Sequence, residues 1–203
     1  MNTYDPSQHP RVKSGEFTTK HRDEPESDGL AVAPLTSTPT TDPNGWTQWR
    51  TPDGKLHRVD GPAVTSPSGY EVWWQHGERH RVDGPAITRS NGRQEWYLHD
   101  KLHREDGPAD ITSDGSEEWW YEGKRHRTDG PASHLADGTE IWFQHGERHR
   151  ADGPAVIHPG GRLEWWENDV RKSPEEEAEL SAAWNARTPS RHDHLDPSRS
   201  PQR

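Results

Sequence analysis

The hydrophobic residues of this chain form short clusters that repeat at a fixed interval between residues 46 and 172. The motif His-Arg-x-Asp-Gly-Pro-Ala begins every 23 residues, at His57, His80, His103, His126 and His149. A tryptophan recurs at the same interval, at Trp73, Trp96, Trp119, Trp142 and Trp165. The next residue is always aromatic, namely Trp74, Tyr97, Trp120, Phe143 and Trp166. Periods of roughly 20 to 50 residues are typical of repeat arrays and solenoids, so the pattern predicts five tandem units.

Each unit contains the signals of one β-hairpin and a connecting turn. Asp-Gly-Pro at residues 60–62 marks one reversal, and the short segment 63–65 follows it as a strand. Ser-Pro-Ser-Gly at 66–69 is replaced by Asn-Gly or Asp-Gly in later units, which is a strong hairpin signal. A second strand is predicted over 70–75, and His76-Gly77 turns the chain into the next unit.

A single hairpin is marginally stable in water, so each unit needs its neighbours. A four-stranded propeller blade takes about 40 to 45 residues, which is too long for this repeat. The prediction is therefore a mainly β fold, a meander-like or solenoid-like array of about six hairpins over residues 46–172. An incomplete unit leads in, and a decayed unit with Lys172 at the His position closes the array.

The flanks differ in composition from the array. Residues 1–45 are rich in Pro, Ser, Thr and charge and have no sustained apolar period, which predicts a disordered leader. Residues 188–203 are predicted to be a disordered tail for the same reason.

A helix is predicted between the array and the tail, over residues 173–187. Ser173 is suited to the N-cap, Pro174 to the first helical position, and Glu176 to completing a capping box. Leu180, Ala183 and Trp184 share one side at helical spacing. This side is expected to pack over the last hairpin and close its edge.

The string W-W-x-x-G-x-R-H-x-x-D-G-P-A, at residues 73–86 and 119–132, resembles MORN-type repeats. The resemblance covers residues 46–172, and it is stronger to variant HRxDGPA repeats of bacterial and phage proteins. It departs from the usual pattern because Asp-Gly-Pro-Ala replaces a simpler glycine turn and the Tyr-x-Gly before the tryptophan is missing. The resemblance implies an elongated hairpin array used in protein scaffolding and, with weaker support, in phospholipid contact. It implies no catalytic activity.

Composition indicates what could hold such an array together. Only 26% of the residues are hydrophobic, while the chain has 11 Trp, two Phe and one Met. Full burial of one indole, about 200 Å² at about 25 cal/mol per Å², stabilises by about 5 kcal/mol at most. The first tryptophan of each pair is therefore predicted to form the core. The second aromatic position could either pack structurally or form an exposed stripe for a partner.

The recurring His and Asp are best explained as structural. A catalytic dyad such as His57 with Asp60 lacks a nucleophile, because there is no Cys and no Ser or Lys recurs in register. A zinc site needs about four ligands within about 2.0 to 2.3 Å, more than one unit supplies. No catalytic site, metal site or cofactor is predicted, and His192 with His194 in the tail does not change this. Asp is expected to accept turn N–H groups, and His to pack or hydrogen-bond across units.

The net charge and hydropathy of the chain limit the classes of partner that it is expected to bind. A net charge of −10 disfavours nucleic acid, because counterion release needs a cationic surface. No apolar run approaches the roughly 20 residues of a membrane span, and residues 1–20 lack an apolar signal core. A cytoplasmic location is therefore expected.

The recurring arginines complete the set of candidate binding residues. They are Arg58, Arg81, Arg104, Arg127 and Arg150. They could form exposed ion pairs with the Asp of each unit, or a row suited to phosphate. The leading hypothesis is a non-enzymatic protein-interaction scaffold whose aromatic and arginine rows contact an unidentified protein. The alternative is a binder of an anionic small ligand, such as a nucleotide or a lipid headgroup, through the same rows.

Overall fold

A computed structural model describes residues 36–188 of the chain. Within that range the protein has 22 strands and one helix. The strands are β1 (Thr38–Thr41), β2 (Thr47–Arg50), β3 (Val64–Thr65), β4 (Glu71–Val72), β5 (Trp74–Gln75), β6 (Glu78–Arg79), β7 (Ile87–Thr88), β8 (Gln94–Glu95), β9 (Tyr97–Leu98), β10 (Lys101–Leu102), β11 (Asp110–Ile111), β12 (Glu117–Glu118), β13 (Trp120–Tyr121), β14 (Lys124–Arg125), β15 (Ser133–His134), β16 (Glu140–Ile141), β17 (Phe143–Gln144), β18 (Glu147–Arg148), β19 (Val156–Ile157), β20 (Leu163–Glu164), β21 (Trp166–Glu167) and β22 (Val170–Arg171). The helix α1 spans Pro174–Arg187. The leader and tail predictions for residues 1–35 and 189–203 lie outside the described residues.

Twelve of these strands form one antiparallel sheet in the order β1-β2-β3-β4-β7-β8-β11-β12-β15-β16-β19-β20. Because the order follows the chain, the sheet is a meander, and its two ends are not joined. The remaining strands form five small hairpins, one in each unit. The prediction of a mainly β array of tandem hairpins with a C-terminal helix is confirmed.

Each unit contains two hairpins, so the prediction of one hairpin and a simple turn was wrong. The expected strand over residues 70–75 breaks at Trp73, between β4 and β5. The N–H of Trp73 donates to the carbonyl of Ala86 (2.7 Å), and its own carbonyl accepts from His80 N–H (3.2 Å). The chain then reverses at His76 (φ 53°) and Gly77 (φ 86°). Two consecutive positive φ angles define a type I′ turn, whose twist suits a two-residue hairpin.

The centre of the main sheet is a single row of directly paired residues that crosses every unit. The row comprises Val64, Val72, Ile87, Glu95, Asp110, Glu118, Ser133, Ile141, Val156 and Glu164. Beside it, the alanines of the Gly-Pro-Ala motif are fully buried: Ala63, Ala86, Ala109, Ala132 and Ala155 have 0% exposure. The core is therefore narrow and combines small and β-branched side chains with the buried rings of Tyr97, Phe143 and Trp165.

The middle of this row carries charge instead of apolar groups. Asp110 accepts from Arg93 through both carboxylate oxygens (3.0 and 2.6 Å), and Arg93 also lies 3.3 Å from Glu95. Arg89 donates to the same Glu95 (3.0 Å). Buried carboxylates are tolerated only when they are paired and hydrogen-bonded, so these arginines make the central row compatible with burial.

The sheet begins earlier than the sequence predicted. Strand β1 lies inside the expected disordered leader of residues 1–45 and pairs with β2, with Pro39 opposite Trp49. Asp42 fixes the turn between them, because its Oδ1 accepts from the N–H groups of Asn44 and Trp46 (both 2.9 Å). The array boundary at residue 46 is therefore corrected to Thr38. An edge strand tolerates proline because its outer side donates to no neighbour.

The helix α1 starts and ends where the sequence predicted, with Ser173 as N-cap and a complete capping box with Glu176. In the preceding unit the N–H of Trp142 donates to Ala155 (2.8 Å). The last unit has no such alanine after it, and Trp165 N–H donates instead to the Glu177 carboxylate (3.1 Å). The helix thus takes the place of a further unit at this edge of the sheet and supplies the acceptor for the N–H of Trp165. No helix among residues 36–188 is both long and apolar enough to span a bilayer.

We predict that Trp184→Ala lowers the free energy of unfolding by about 2 kcal/mol. The Trp184 ring meets Trp165 edge-on, with centroids 6.3 Å apart, so its removal uncovers the last indole. Guanidinium chloride denaturation measures the change. Asn185→Ala, an exposed neighbour on the same helix, is the control and should change stability by less than about 0.5 kcal/mol. Equal effects of the two variants would show that α1 does not cap the array.

Candidate functional site

The first tryptophans of the pairs form what we call the indole row: Trp73, Trp96, Trp119, Trp142 and Trp165. Trp165 is buried in the core (8% exposed), as predicted, and Trp73 packs against the core cluster. The other members of the row are half-buried, as Trp73 is, so the prediction that the whole row forms the core was wrong. A guanidinium lies over each half-buried ring, and over Trp49 in the incomplete unit, at 4.0 to 4.2 Å from the ring centroid. The stacked pairs are Arg58 on Trp49, Arg81 on Trp73, Arg104 on Trp96, Arg127 on Trp119 and Arg150 on Trp142.

Each of these arginines is fixed by its own loop. Arg104, for example, donates through Nε to Asp106 (2.7 Å) and through Nη1 to the carbonyl of Pro108 (3.2 Å). The predicted ion pair between the arginine and the aspartate is present. Its arginine is mostly covered, however, because the Arg104 side chain is only 24% exposed. The aspartates are the exposed partners. Asp60, Asp83, Asp106, Asp129 and Asp152 keep between 58% and 84% of their side chains accessible.

The charge state of these aspartates follows from the same contact. A hydrogen bond from the neighbouring arginine lowers the pKa of Asp60, Asp83 and Asp152 below the ordinary range. These carboxylates are therefore ionised at neutral pH and form part of a line of negative charge along the loops.

The glycine of Asp-Gly-Pro is needed for space. A Cβ placed on Gly107 would lie 2.9 Å from Arg104 Cζ, closer than a side chain can approach. Its equivalents meet the same guanidinium in every unit, so each arginine is sandwiched between an indole and a glycine. The sequence pattern indicated only that this glycine belongs to a turn.

Four of the five recurring histidines link neighbouring units, as predicted, while Nδ1 of the fifth, His149, is buried without a partner. The Nδ1 atoms of His57, His103 and His126 accept from the backbone N–H of the residue 19 positions later, at 3.0 to 3.1 Å. An imidazole that accepts through Nδ1 is neutral. Burial lowers the pKa of His57 and of His103, which favours that form.

The histidine and aspartate of the first motif make separate contacts. Asp60 accepts from Arg58, and His57 accepts from the backbone N–H of His76. Among residues 36–188 no three His, Asp or Glu side chains are grouped so that they could hold a metal ion. His192 and His194 lie outside the described residues.

The second aromatic row packs into the structure. Tyr97 and Phe143 are 8% exposed, and Trp74, Trp120 and Trp166 are half-buried. Arg79 covers Tyr97 at 4.1 Å, Arg125 lies between Trp120 and Phe143, and Arg148 covers Trp166 at 3.5 Å. The indole N–H groups of Trp120 and Trp166 donate to Glu118 and Glu164 (3.0 and 3.2 Å). Of the two alternatives for this row, the geometry favours structural packing over an exposed stripe.

The indole row differs from the second row in its hydrogen bonds. Within residues 36–188 the Nε1–H groups of Trp96, Trp119 and Trp142 have no partner and are not sealed from solvent. The same donor on Trp165 bonds to Ser181 Oγ of α1 (2.9 Å). Trp73 Nε1 is buried without a partner. The row therefore presents three unused donors in consecutive units, those of Trp96, Trp119 and Trp142.

A groove opens beside Trp142 between two successive motif loops, residues 127–131 and 149–152. It has a volume of about 480 Å³ and is also lined by Glu140 and Gln144.

Sequence reasoning did not select the indole row as a surface because it assigned these rings to the core. One signal was present: this position is always Trp, whereas the second position also holds Tyr and Phe. A position that needs only a ring tolerates such exchange, while a position that needs an N–H donor does not.

The sequence matches no protein-family model, and a search of curated proteins finds no significant relative. Function is therefore inferred from the geometry of the indole row and its loops.

We predict that Gly107→Ala lowers the free energy of unfolding by about 1 to 3 kcal/mol, because the added methyl displaces the Arg104 guanidinium from its indole. Gly160→Ala is the matched control. A Cβ there meets nothing within 4 Å and φ is not positive, so stability should stay level or rise slightly. Chemical denaturation of both variants measures the difference. A loss at Gly107 no larger than at Gly160 would mean that the sandwich does not stabilise the unit.

Proposed function

We propose that this chain is a non-enzymatic repeat module that binds a protein partner through the indole row. The observation that supports the proposal is the set of unpartnered indole N–H donors on Trp96, Trp119 and Trp142. At Trp165 the equivalent donor is already bonded to a polypeptide, because Ser181 of α1 accepts from it. Half-buried tryptophans with a polar tip are common at protein interfaces.

The charge beside the row favours a basic partner. The motif aspartates are exposed, and the groove beside Trp142 adds Glu140 to Asp129 and Asp152. The arginines of the same loops are stacked on indoles and bonded to their own aspartates, so little of their positive charge is available. The net charge of −10 acts in the same direction and speeds association with a positive partner.

The alternative, an anionic small ligand bound by the arginine and second aromatic rows, has less support. Each motif arginine already donates to a carboxylate and to a proline carbonyl, as Arg81 does to Asp83 and Pro85. An anion would have to replace these bonds. We further propose that the array is a variant of the MORN-type repeat and works in the cytoplasm, on the repeat pattern and the composition.

The test compares two double variants that each remove two indole N–H groups. Trp119→Phe with Trp142→Phe alters the indole row, and Trp120→Phe with Trp166→Phe alters the second row, where Phe143 already occurs. Immobilised protein is used to capture partners from cell extract, followed by mass spectrometry. We expect specific partners to be lost with the first variant and kept with the second. Equal capture by both variants would reject the indole row as the binding surface.

A further inference from the structure

The spacing of the indole row limits the shape of a segment that could follow it. Each unit contributes two strands to the main sheet, for example β11 and β12 between Trp96 and Trp119. Neighbouring strands lie about 4.7 to 4.9 Å apart, so equivalent positions in successive units are separated by about 9.6 Å. A partner that contacts every unit in the same way must repeat its own structure at this distance.

A polyproline II helix has that repeat. It has three residues per turn and rises about 3.1 Å per residue, or about 9.3 Å per turn. An α-helix brings a residue back to the same side after seven residues, about 10.5 Å, and the mismatch would grow by about 0.9 Å per unit. In a β-strand equivalent side chains recur every two residues, about 6.7 Å. Of the three conformations, the polyproline II helix has the repeat closest to the unit spacing, with a difference of about 0.3 Å per unit.

The chemistry of the row fits the same conformation. Polyproline II backbones make no internal hydrogen bonds and leave their carbonyl groups free to accept. The indole N–H is a donor only, and aromatic-lined grooves commonly bind such helices. The exposed carboxylates, such as Asp106 and Asp152, recur with the same unit period as the indoles.

From these observations, and resting on the proposed function, we infer that the partner segment is a basic polyproline II helix that follows the indole row with one turn per unit. One carbonyl in each turn accepts from Trp96, Trp119 or Trp142, and one Arg or Lys in each turn faces the aspartates. Trp73 Nε1 is buried and Trp165 Nε1 is bonded to Ser181. Three carbonyls spaced three residues apart span about seven residues, so a segment of three turns engages all available donors.

The test titrates the full chain with synthetic (Pro-Pro-Arg)n peptides of one to five turns. We expect affinity to rise several-fold with each turn up to three and then to level off. The indole N–H resonances of Trp96, Trp119 and Trp142 should shift on binding, while those of Trp165 and Trp120, already bonded within the protein, should not. Isothermal titration calorimetry and ¹⁵N-edited NMR provide the two readouts.

Two controls isolate conformation and charge. A (Gly-Ser-Arg)n peptide has the same positive charge without the helix and should bind at least about tenfold more weakly, because it must be ordered on binding. A (Pro-Pro-Glu)n peptide should not bind. Trp119→Phe removes one donor but keeps a ring for Arg127, and should weaken (Pro-Pro-Arg)n binding about fivefold. Trp120→Phe should leave it unchanged.

Equal affinity for the Gly-Ser-Arg and Pro-Pro-Arg peptides, or indole resonances that do not move, would overturn the inference. If partner capture depends on Trp119 and Trp142 while no peptide binds, the polyproline II inference is wrong and the protein-binding function stands. If capture is also independent of these residues, both are rejected.

Discussion

The structure depends on one repeated interaction, the stacking of a motif arginine on the tryptophan eight residues before it, or nine in the incomplete first unit. In unit after unit, as with Arg104 on Trp96, the guanidinium lies at stacking distance from the ring and is bonded to an aspartate and a proline carbonyl. The glycine between them leaves room for the guanidinium. The residues of His-Arg-x-Asp-Gly-Pro-Ala are therefore parts of one arrangement, which also explains why a chain with few aliphatic side chains can fold. A partly desolvated cation–π contact is worth about 1 to 2 kcal/mol, and the array has five of them over the indoles.

The same interaction shapes the surface. A guanidinium covers one face of each of the four half-buried rings, and among residues 36–188 the N–H groups of Trp96, Trp119 and Trp142 have no partner. At the C-terminal end there is no further arginine loop, and Glu177, Ser181 and Trp184 of α1 cover Trp165 instead. There the Ser181 hydroxyl of the same chain accepts from one indole N–H of the row. At the other end, all four residues of β1 are exposed, so among residues 36–188 the helix covers one edge of the sheet and no element covers the other.

Much of the fold could be predicted because its signals are local. The hairpin turns and the capping box of α1 depend on residues close together in sequence, such as Asn91 with Gly92 or Ser173 with Glu176. The second hairpin was missed because His76-Gly77 is a less familiar type I′ pair than Asn-Gly. The start at Thr38 was missed because Thr-Pro-Thr-Thr has linker composition, and its pairing depends on β2. The assignment of the whole indole row to the core failed for another reason. The burial of a ring depends on which side chain packs on it, and a hydropathy scale counts arginine as polar although its side chain can cover an apolar ring.

The most direct test of this account is a double-mutant cycle on one stacked pair, Trp96→Leu and Arg104→Met, measured as free energies of unfolding. Both replacements keep aliphatic bulk, so the coupling between them isolates the stacking. The account predicts a coupling of at least about 1 kcal/mol. A coupling within about 0.3 kcal/mol of zero, with each single variant folded, would show that the two side chains are neighbours without holding the array together.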